Sequence, residues 1–237
     1  METAIPQKRI RIDCHCHTGA SFDCRLTPEQ FVFDAVAAGL DAAIICDHNT
    51  FAGVEAVQAL SPPFRVIRGR EISTRDGELL GLFLTSPVPA GKSARETIES
   101  IHAQGGLAVV PHPFAWTALH RLRGEKLIDG TPYVDAVEGA NARNEIARVD
   151  YRAQRLAERF GKPITAGSDA HERRRVGSGY LEMEPFADAA DFLAKLPGAR
   201  PVIVRRMNFF NNMFGFLVSY GEYLYTQRKW PLPPESS

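Results

Sequence analysis

Short apolar runs rich in β-branched residues alternate along this chain with longer runs of helical periodicity. The strand-like runs cover residues 9–14, 41–46, 64–72, 79–84, 107–110, 134–138 and 163–166. Helical runs begin near residues 27, 53, 93 and 144. This regular alternation predicts an α/β fold with a mostly parallel sheet.

Two of the helical runs begin with a capping signal. Thr27 with Gln30, and Ser93 with Glu96, have the spacing of a capping box, in which side chain and backbone cap each other. Gly161 follows the run at 144–160, where a C-terminal cap belongs. These positions predict where three helices begin or end.

The chain length restricts the architecture. A chain of 237 residues suits one barrel or sandwich domain. Frequent strand–helix alternation at this length favours a closed barrel with outer helices over an open doubly wound sheet. No glycine-rich phosphate loop follows the first strand-like run, which also disfavours a dinucleotide-binding domain.

Charge and cysteine content narrow the class of protein. Lys+Arg and Asp+Glu number 28 each, so the net charge is zero and stable bulk DNA binding is not expected. A nucleotide or a short oligonucleotide remains compatible with this balance. The four cysteines lie within the first 46 residues without paired zinc spacing, and no apolar run has the length of a signal peptide or membrane span. We expect a cytoplasmic location.

Histidines and acids gather where strand-like runs end. Five of the seven histidines lie at or just after such an end: His15, His17, His48, His112 and His171. In a β/α barrel this end carries the active site. Strand alternation would put Asp13, His15 and His17 on one face, so that two imidazoles converge on one cation. Acids follow other runs at the same place, and clustered acids are costly to bury without a cation.

Taken in order, these motifs resemble the polymerase and histidinol phosphatase (PHP) family. The motifs are His15-Cys-His17, Asp47-His48-Asn49-Thr50, Gly69-Arg-Glu71, Pro111-His112-Pro113 and Gly167-Ser168-Asp169-Ala170-His171, within residues 9–185. The resemblance implies a distorted (β/α)7 TIM-like barrel with two or three Mn, Zn or Fe ions. It also implies hydrolysis of phosphate esters or nucleic-acid phosphodiesters. We expect the barrel over residues 1–200 and an aromatic helical extension over 201–237.

The resemblance also implies roles for individual residues. The first metal would be held by His15, His17, Glu71 and Asp169; the second by Glu71 and His112; the third by Asp23, His48 and His171. Glu78 stands where many members have a histidine, and an oxygen ligand there would favour Mn or Fe over Zn. A metal-activated hydroxide would attack phosphorus. His171 and Arg143 are the catalytic candidates, with Arg143 and Asn141 reaching the substrate.

Simpler interpretations exist for several of these residues. Asp23 could be an ordinary loop carboxylate, Glu78 a solvated strand residue, and Arg143 a surface ion-pair partner. His112, between two prolines, could serve a rigid turn, and Asp169 could cap a short helix. These interpretations leave the side chains scattered, whereas the metal hypothesis needs them in one pocket.

The sequence does not determine the partner of the aromatic segment 205–230 or the ligand of the arginine-rich loops. The segment could pack on the barrel, form a dimer contact, or lie on a membrane surface. Arginines in the loops 116–130 and 172–178 suit phosphate-rich ligands without selecting one. The favoured substrate is a small phosphomonoester or nucleotide. The alternatives are an exonuclease on short oligonucleotides, a catalytically silent PHP domain, and a metal-dependent amidohydrolase, which usually needs a lysine between the metals.

Overall fold

The fold consists of one nine-stranded sheet with helices on its outer face. The computed structural model describes residues 9–115, 122 and 131–208. The strands are β1 Ile10–Cys16, β2 Ala42–Ile45, β3 Arg65–Ser73, β4 Glu78–Leu82, β5 Leu107–Val110, β6 Ala136–Asn141, β7 Ile164–Gly167, β8 Gly179–Met183 and β9 Arg200–Ile203. The helices are α1 Pro28–Ala37, α2 Ala52–Ala59, α3 Ala94–His102, α4 Ala147–Arg159 and α5 Ala189–Lys195.

The sheet is strongly curved and nearly closed. Its strand order is β7-β6-β5-β4-β3-β2-β1-β8-β9. At the gap between β7 and β1, the Asp169 N–H donates to the His15 carbonyl at 2.7 Å, and the His17 N–H donates to the Ala170 carbonyl at 3.2 Å. The prediction of an α/β fold with a barrel-shaped sheet is confirmed; the (β/α)7 count stays a prediction.

The sheet is mixed, and the prediction of a mostly parallel sheet was too simple. The runs β1-β2-β3 and β5-β6-β7 are parallel. Strand β4 is antiparallel to both of its neighbours, and β8 is antiparallel to β1 and β9. Because β3 and β4 are joined by the short turn at residues 74–77, they form a hairpin and need no crossover helix.

The two faces of the sheet bury separate apolar cores. The outer core packs strand residues against α1 to α4, with Phe31, Val54, Ile98 and Leu156 supplied by the helices. The inner core consists of strand residues such as Ile12, Ile44, Leu80 and Leu181. At the amino-terminal end of the parallel strands, Phe186, Phe192 and Leu196 close the inner core.

The helix signals in the sequence correspond to observed boundaries. Both predicted capping boxes form at the starts of α1 and α3. Gly161 follows α4 with a φ of 62°, a left-handed conformation that favours glycine. Helix α4 begins at Ala147, three residues later than the apolar period indicated, because the residue before it, Ile146, has an extended backbone.

A bulge in β1 corrects the predicted alternation of its side chains. The register with β2 shifts between Asp13 and Cys16. As a result Cys14 packs with Ile12 in the inner core, whereas Cys16 packs in the outer core. The Asp13 side chain is therefore not beside the imidazoles as predicted. It accepts hydrogen bonds from the backbone N–H groups of Ser168 and Gly177.

The sheet continues beyond the predicted domain boundary at residue 200. Strands β8 and β9 and helix α5 were not predicted, and β9 pairs with β8 up to Ile203. The predicted extension 201–237 lies outside the described residues from 209 onward. The arginine-rich loop with Arg121 and Arg123 also lies outside them. Within the described ranges, no helix combines the length and apolar character that a membrane span requires.

Candidate metal centre

The nine predicted ligands converge at one end of the sheet, near the carboxyl ends of its parallel strands. They are His15 from β1, His17 and Asp23 from the loop after it, His48 after β2, Glu71 from β3, Glu78 from β4, His112 after β5, and Asp169 and His171 after β7. None of these side chains is more than 10% exposed. The buried positions exclude a solvated strand position for Glu78.

The atoms that converge on the His15–His17 pair have the short spacing of metal ligands. The Nε2 atoms of His15 and His17 are 3.0 Å apart, and each lies 3.3 Å from Glu71 Oε2. Asp169 Oδ1 lies 3.9 Å from the first imidazole and 3.6 Å from the second. Ligands about 2.1 Å from a tetrahedral metal stand roughly 3.4 Å apart, so these spacings fit a metal.

Hydrogen bonds on the far side of the two imidazoles determine which nitrogens face the cluster. His15 Nδ1 lies 3.0 Å from Glu138 Oε1, which can only accept when ionised. His17 Nδ1 lies 3.1 Å from Ser21 Oγ, whose hydroxyl donates to Asp47 at 2.8 Å. Both Nδ1 atoms therefore carry hydrogen. In the neutral rings both Nε2 atoms then present lone pairs to each other and to the carboxylates.

Glu71 lies between this group and a second one. Its Oε1 is 3.1 Å from His112 Nε2, whereas its Oε2 faces the first group. His48 Nδ1 lies 3.6 Å from Glu71 Oε2 and 3.8 Å from Glu78 Oε1. A carboxylate with one oxygen toward each of two groups has the arrangement of a bridging ligand.

A third group forms around Asp23. Its Oδ2 lies 3.0 Å from His171 Nε2 and 3.5 Å from His48 Nε2. The rings of His17 and His171 are 4.2 Å apart between centroids. Among the described residues, the sets with ligand atoms close enough for one ion are His17–His48–His171, His15–Glu71–His112, His15–His17–Asp169 and His48–Glu71–Glu78.

Burial and neighbouring charged groups shift the pKa values of the imidazoles in the pocket. Burial opposes protonation of His15, but the carboxylates of Glu138 and Asp169 outweigh it and raise the pKa of His15 well above its usual value. Burial and the neighbouring His171 lower the pKa of His17 to about 3. In the metal-free protein a proton on His15 thus supplies the positive charge that the cluster needs.

Several buried polar atoms of the pocket lack a protein partner, which tests whether a metal fits. These atoms are Asp23 Oδ1, His48 Nδ1 and His112 Nδ1. Leaving such atoms unpaired is costly. Asp23 Oδ1 and His48 Nδ1 belong to residues that face other candidate ligands at 3.0–3.8 Å. The mixed nitrogen and oxygen donor set therefore fits a Zn, Mn or Fe ion.

Arg143 lies at the edge of this pocket. Its Nη1 is 2.8 Å from His171 Nδ1 and 3.6 Å from Asp169 Oδ1, and its side chain is 20% exposed. A surface ion pair alone does not describe this position, since both neighbours are predicted ligands. The neighbouring Asn141 differs from expectation, because it is buried with both polar ends bonded inside the protein and does not face a substrate.

Two residues behind the ligands, Glu138 and Ser21, hydrogen-bond the site histidines and were not among the predicted site residues. Asp47, which lies in the motif 47–50 identified in the sequence, accepts a hydrogen bond from the Ser21 hydroxyl. A signal for Glu138 was present, because it is an acid in the otherwise uncharged strand run Ala-Val-Glu-Gly-Ala-Asn. For Ser21 the sequence offers no comparable signal, since it lies in an irregular loop.

Backbone constraints hold two of the ligands in place. His112 and Asp169 have φ angles of 25° and 50°, in a region that L-residues rarely occupy. Gly167 allows β1 to approach closely, because a Cβ on it would lie 2.5 Å from the His15 Cβ. A larger residue at position 167 would displace His15.

Comparison with known proteins finds a matching family model and several proteins of similar sequence. A family model described as PHP-associated matches residues 150–200. The uncharacterized protein MJ0417 of Methanocaldococcus jannaschii is 30% identical over 176 residues, which cover 73% of this chain and 70% of that protein. MJ1587 of the same organism is 35% identical over 145 residues, or 56% and 82%. A 5′-3′ exoribonuclease of Haemophilus influenzae is 39% identical over 66 residues, 27% and 24%.

Solved structures share the fold at low sequence identity. A two-domain protein of Bacteroides vulgatus that contains a predicted PHP-like metal-dependent phosphoesterase aligns with a TM-score of 0.66 at 16% identity, covering 92% of this chain and 73% of that one. An amidohydrolase from Chromobacterium violaceum, with bound sulfate and no metal, aligns with a TM-score of 0.56 at 18% identity, covering 70% and 89%. At these identities the likeness shows the fold.

Proposed function

The chain belongs to the polymerase and histidinol phosphatase (PHP) family, and we propose that it hydrolyses phosphate esters at a centre of two or three divalent metal ions. One observation carries the proposal. The Nε2 atoms of His15 and His17 lie 3.0 Å apart, with Glu71 Oε2 3.3 Å from both. Electron pairs converging this closely in a buried pocket need positive charge between them, which a proton on His15 supplies in the metal-free protein and a bound metal would supply in its place.

The converging groups divide into three sets of metal ligands. His15, His17, Glu71 and Asp169 would hold one ion. Glu71 and His112, with Glu78 nearby, would hold a second. Asp23, His48 and His171 would hold a third. When bound, Mn, Zn or Fe ions at these positions would lower the pKa of water and neutralise charge on phosphoryl oxygens.

The protein's own groups contribute binding and orientation. Arg143, partly exposed beside Asp169 and His171, is positioned to donate hydrogen bonds to an incoming phosphoryl oxygen. His171, which lies beside Asp23, would position the leaving group. None of the ligand side chains is more than 10% exposed, so the cluster is shielded from bulk water, which strengthens these interactions.

A small phosphomonoester or nucleotide is the favoured substrate. Zero net charge provides no general attraction for long nucleic acids. The alternative is an exonuclease acting on short oligonucleotides, which the 66-residue similarity to a 5′-3′ exoribonuclease favours. A catalytically silent domain would not need so many converging, buried ligand atoms. An amidohydrolase with a lysine between its metals is disfavoured, because the described lysines lie elsewhere: Lys92 is exposed, Lys162 donates to the Pro132 carbonyl and Lys195 pairs with Asp191.

Metal analysis and a substrate screen would test the proposal. Purified protein should contain two or three equivalents of Mn, Fe or Zn by mass spectrometry. It should release phosphate from sugar phosphates or nucleotides, or mononucleotides from short oligonucleotides, only when metal is present. His102, which pairs with Asp135 outside the site, offers a matched histidine control. His102→Ala should keep both properties, and metal-free protein with full turnover would refute the proposal.

A further inference from the structure

Behind the candidate ligands lies a hydrogen-bonded pair, Glu138 and Asn141, that contacts three of them. Both residues are on β6 and both are 1% exposed. Neither is accessible to solvent. The partners of the Glu138 side chain are His15 Nδ1, the His112 N–H and Asn141 Nδ2, and none of these is one of the converging ligand atoms. The role of a buried acid in this position therefore needs a separate explanation.

Each oxygen of Glu138 has a defined partner. Oε1 is 3.0 Å from His15 Nδ1. Oε2 accepts from the backbone N–H of His112 at 2.7 Å and from Asn141 Nδ2 at 2.9 Å. The carboxylate therefore links a ligand on β1 to the loop after β5. This loop is where His112 takes its strained backbone conformation.

Asn141 extends the link to a third ligand. Its Nδ2 donates to Asp169 Oδ2 at 3.2 Å as well as to Glu138, and its Oδ1 accepts from the Arg143 N–H at 2.8 Å. The amide orientation is determined, because only Nδ2 can donate to two carboxylates. Binding Oδ2 of Asp169 in this way leaves Oδ1 directed toward His15 and His17.

We propose that Glu138, braced by Asn141, is a positioning residue that sets the tautomer and direction of His15 and so raises the metal affinity of the site. An acceptor at Nδ1 keeps hydrogen there and leaves Nε2 free to bind a metal. An ionised acceptor also makes the imidazole a stronger ligand. The inference rests on the proposed function, because it needs His15 to be a metal ligand.

Glu138→Gln tests the proposal, since it keeps the shape of the side chain and removes its charge. Metal affinity, measured by competition with a chromophoric chelator for Zn²⁺ or Mn²⁺, should fall by about 10- to 100-fold. In Zn²⁺-loaded protein, nitrogen NMR should show His15 with hydrogen on Nδ1 in the wild type and a changed Nδ1 signal in the variant. Glu182→Gln, on β8 and paired with Arg200, is the matched control and should change neither.

A second variant keeps the test decisive if Glu138→Gln folds poorly. Asn141→Ala removes the brace without touching His15, and it should lower affinity by about tenfold or less. A purely structural role would lower the unfolding temperature and leave the affinity of the folded protein and the His15 signal unchanged. Wild-type affinity in whichever variants fold would overturn the inference alone. A wild-type protein that binds no metal would instead overturn the proposed function.

Discussion

The two ends of the barrel bury different kinds of side chain. At the carboxyl end of the parallel strands, imidazoles and acids are buried together, and His112 and Asp169 have left-handed backbones. At the other end, Phe83, Phe186 and Phe192 pack with ring centroids 5.0–5.9 Å apart. The aromatic end gains from apolar burial, whereas the polar end has a desolvation cost that protons on its histidines or bound cations must offset.

This contrast implies that the polar end of the barrel serves metal binding and the aromatic end serves folding stability. Charged groups at the polar end stabilise the fold only when they have partners, so their contribution depends on metal and pH. The aromatic end depends on neither. Variants at the two ends should therefore separate metal binding from folding stability, and the following predictions are ordered by expected effect.

The largest effect is expected at the polar end, from His15→Ala. The substitution removes one lone pair from the tightest group and leaves Glu138 without its imidazole partner. Phosphate release should fall by about a hundred- to a thousandfold, the scale of losing a preorganised electrostatic group. Steady-state assays on metal-supplemented protein measure this. Undiminished turnover would contradict the assigned site.

At the aromatic end, Phe192→Ala should lower stability without affecting the site. Phe192 is fully buried, and truncating a buried phenylalanine typically costs about 3–5 kcal/mol. Denaturant unfolding measures the loss. Metal content per folded molecule should equal that of the wild type. Loss of metal in the folded variant would show that the two ends are coupled.

The pH dependence of stability should distinguish the metal-free from the metal-loaded protein. Burial lowers the pKa of His48, but the carboxylates of Glu71 and Asp23 outweigh it and raise the pKa to about 10. The contribution of this histidine is fully present below pH 6.5, its unfolded pKa, and is lost as pH rises through about 10. Thermal unfolding of metal-free protein should therefore show a falling midpoint over this window.

The metal-loaded protein should lack this loss. A bound metal replaces the proton on the ligands, and binding strengthens as pH rises because fewer protons compete. The unfolding midpoint should stay level or rise between pH 6.5 and 8. Identical profiles for the two forms would mean that protons and metal do not share ligands.

The smallest effect is expected far from the site, from Thr27→Ala. The Thr27 hydroxyl accepts from the Gln30 N–H and caps α1. Losing this cap should cost about 1 kcal/mol. Chemical denaturation measures the change, and metal stoichiometry should not alter. A cost near zero would mean that the capping box is replaced by solvent.

The sequence predicted local features better than features that depend on distant contacts. Capping boxes at Thr27 and Ser93 follow from a few neighbouring residues, and they form as predicted. The candidate ligands were identified at predicted strand ends, so the sequence also indicated that they lie in one pocket, where the structure has them. The antiparallel strands β8 (Gly-Tyr-Leu-Glu-Met) and β9 (Arg-Pro-Val-Ile) were missed because glycine, glutamate, arginine and proline interrupt their apolar residues.

The remaining misses arose from long-range geometry. The bulge in β1 depends on pairing with β2, so strict alternation wrongly grouped Asp13 with His15. Asn141 was predicted to reach substrate because it follows a strand, but its partners Glu138 and Asp169 come from contacts that local pattern does not encode. The residues behind the ligands are therefore determined by tertiary contacts, which the local sequence pattern does not show.

Anomalous diffraction from crystals of metal-loaded protein, at the absorption edge of the bound element, tests most directly whether a cation lies between His15 and His17. We expect two or three peaks, with one about 2.0–2.3 Å from both Nε2 atoms. A map from loaded, active protein with no peak between these two imidazoles would contradict the assignment.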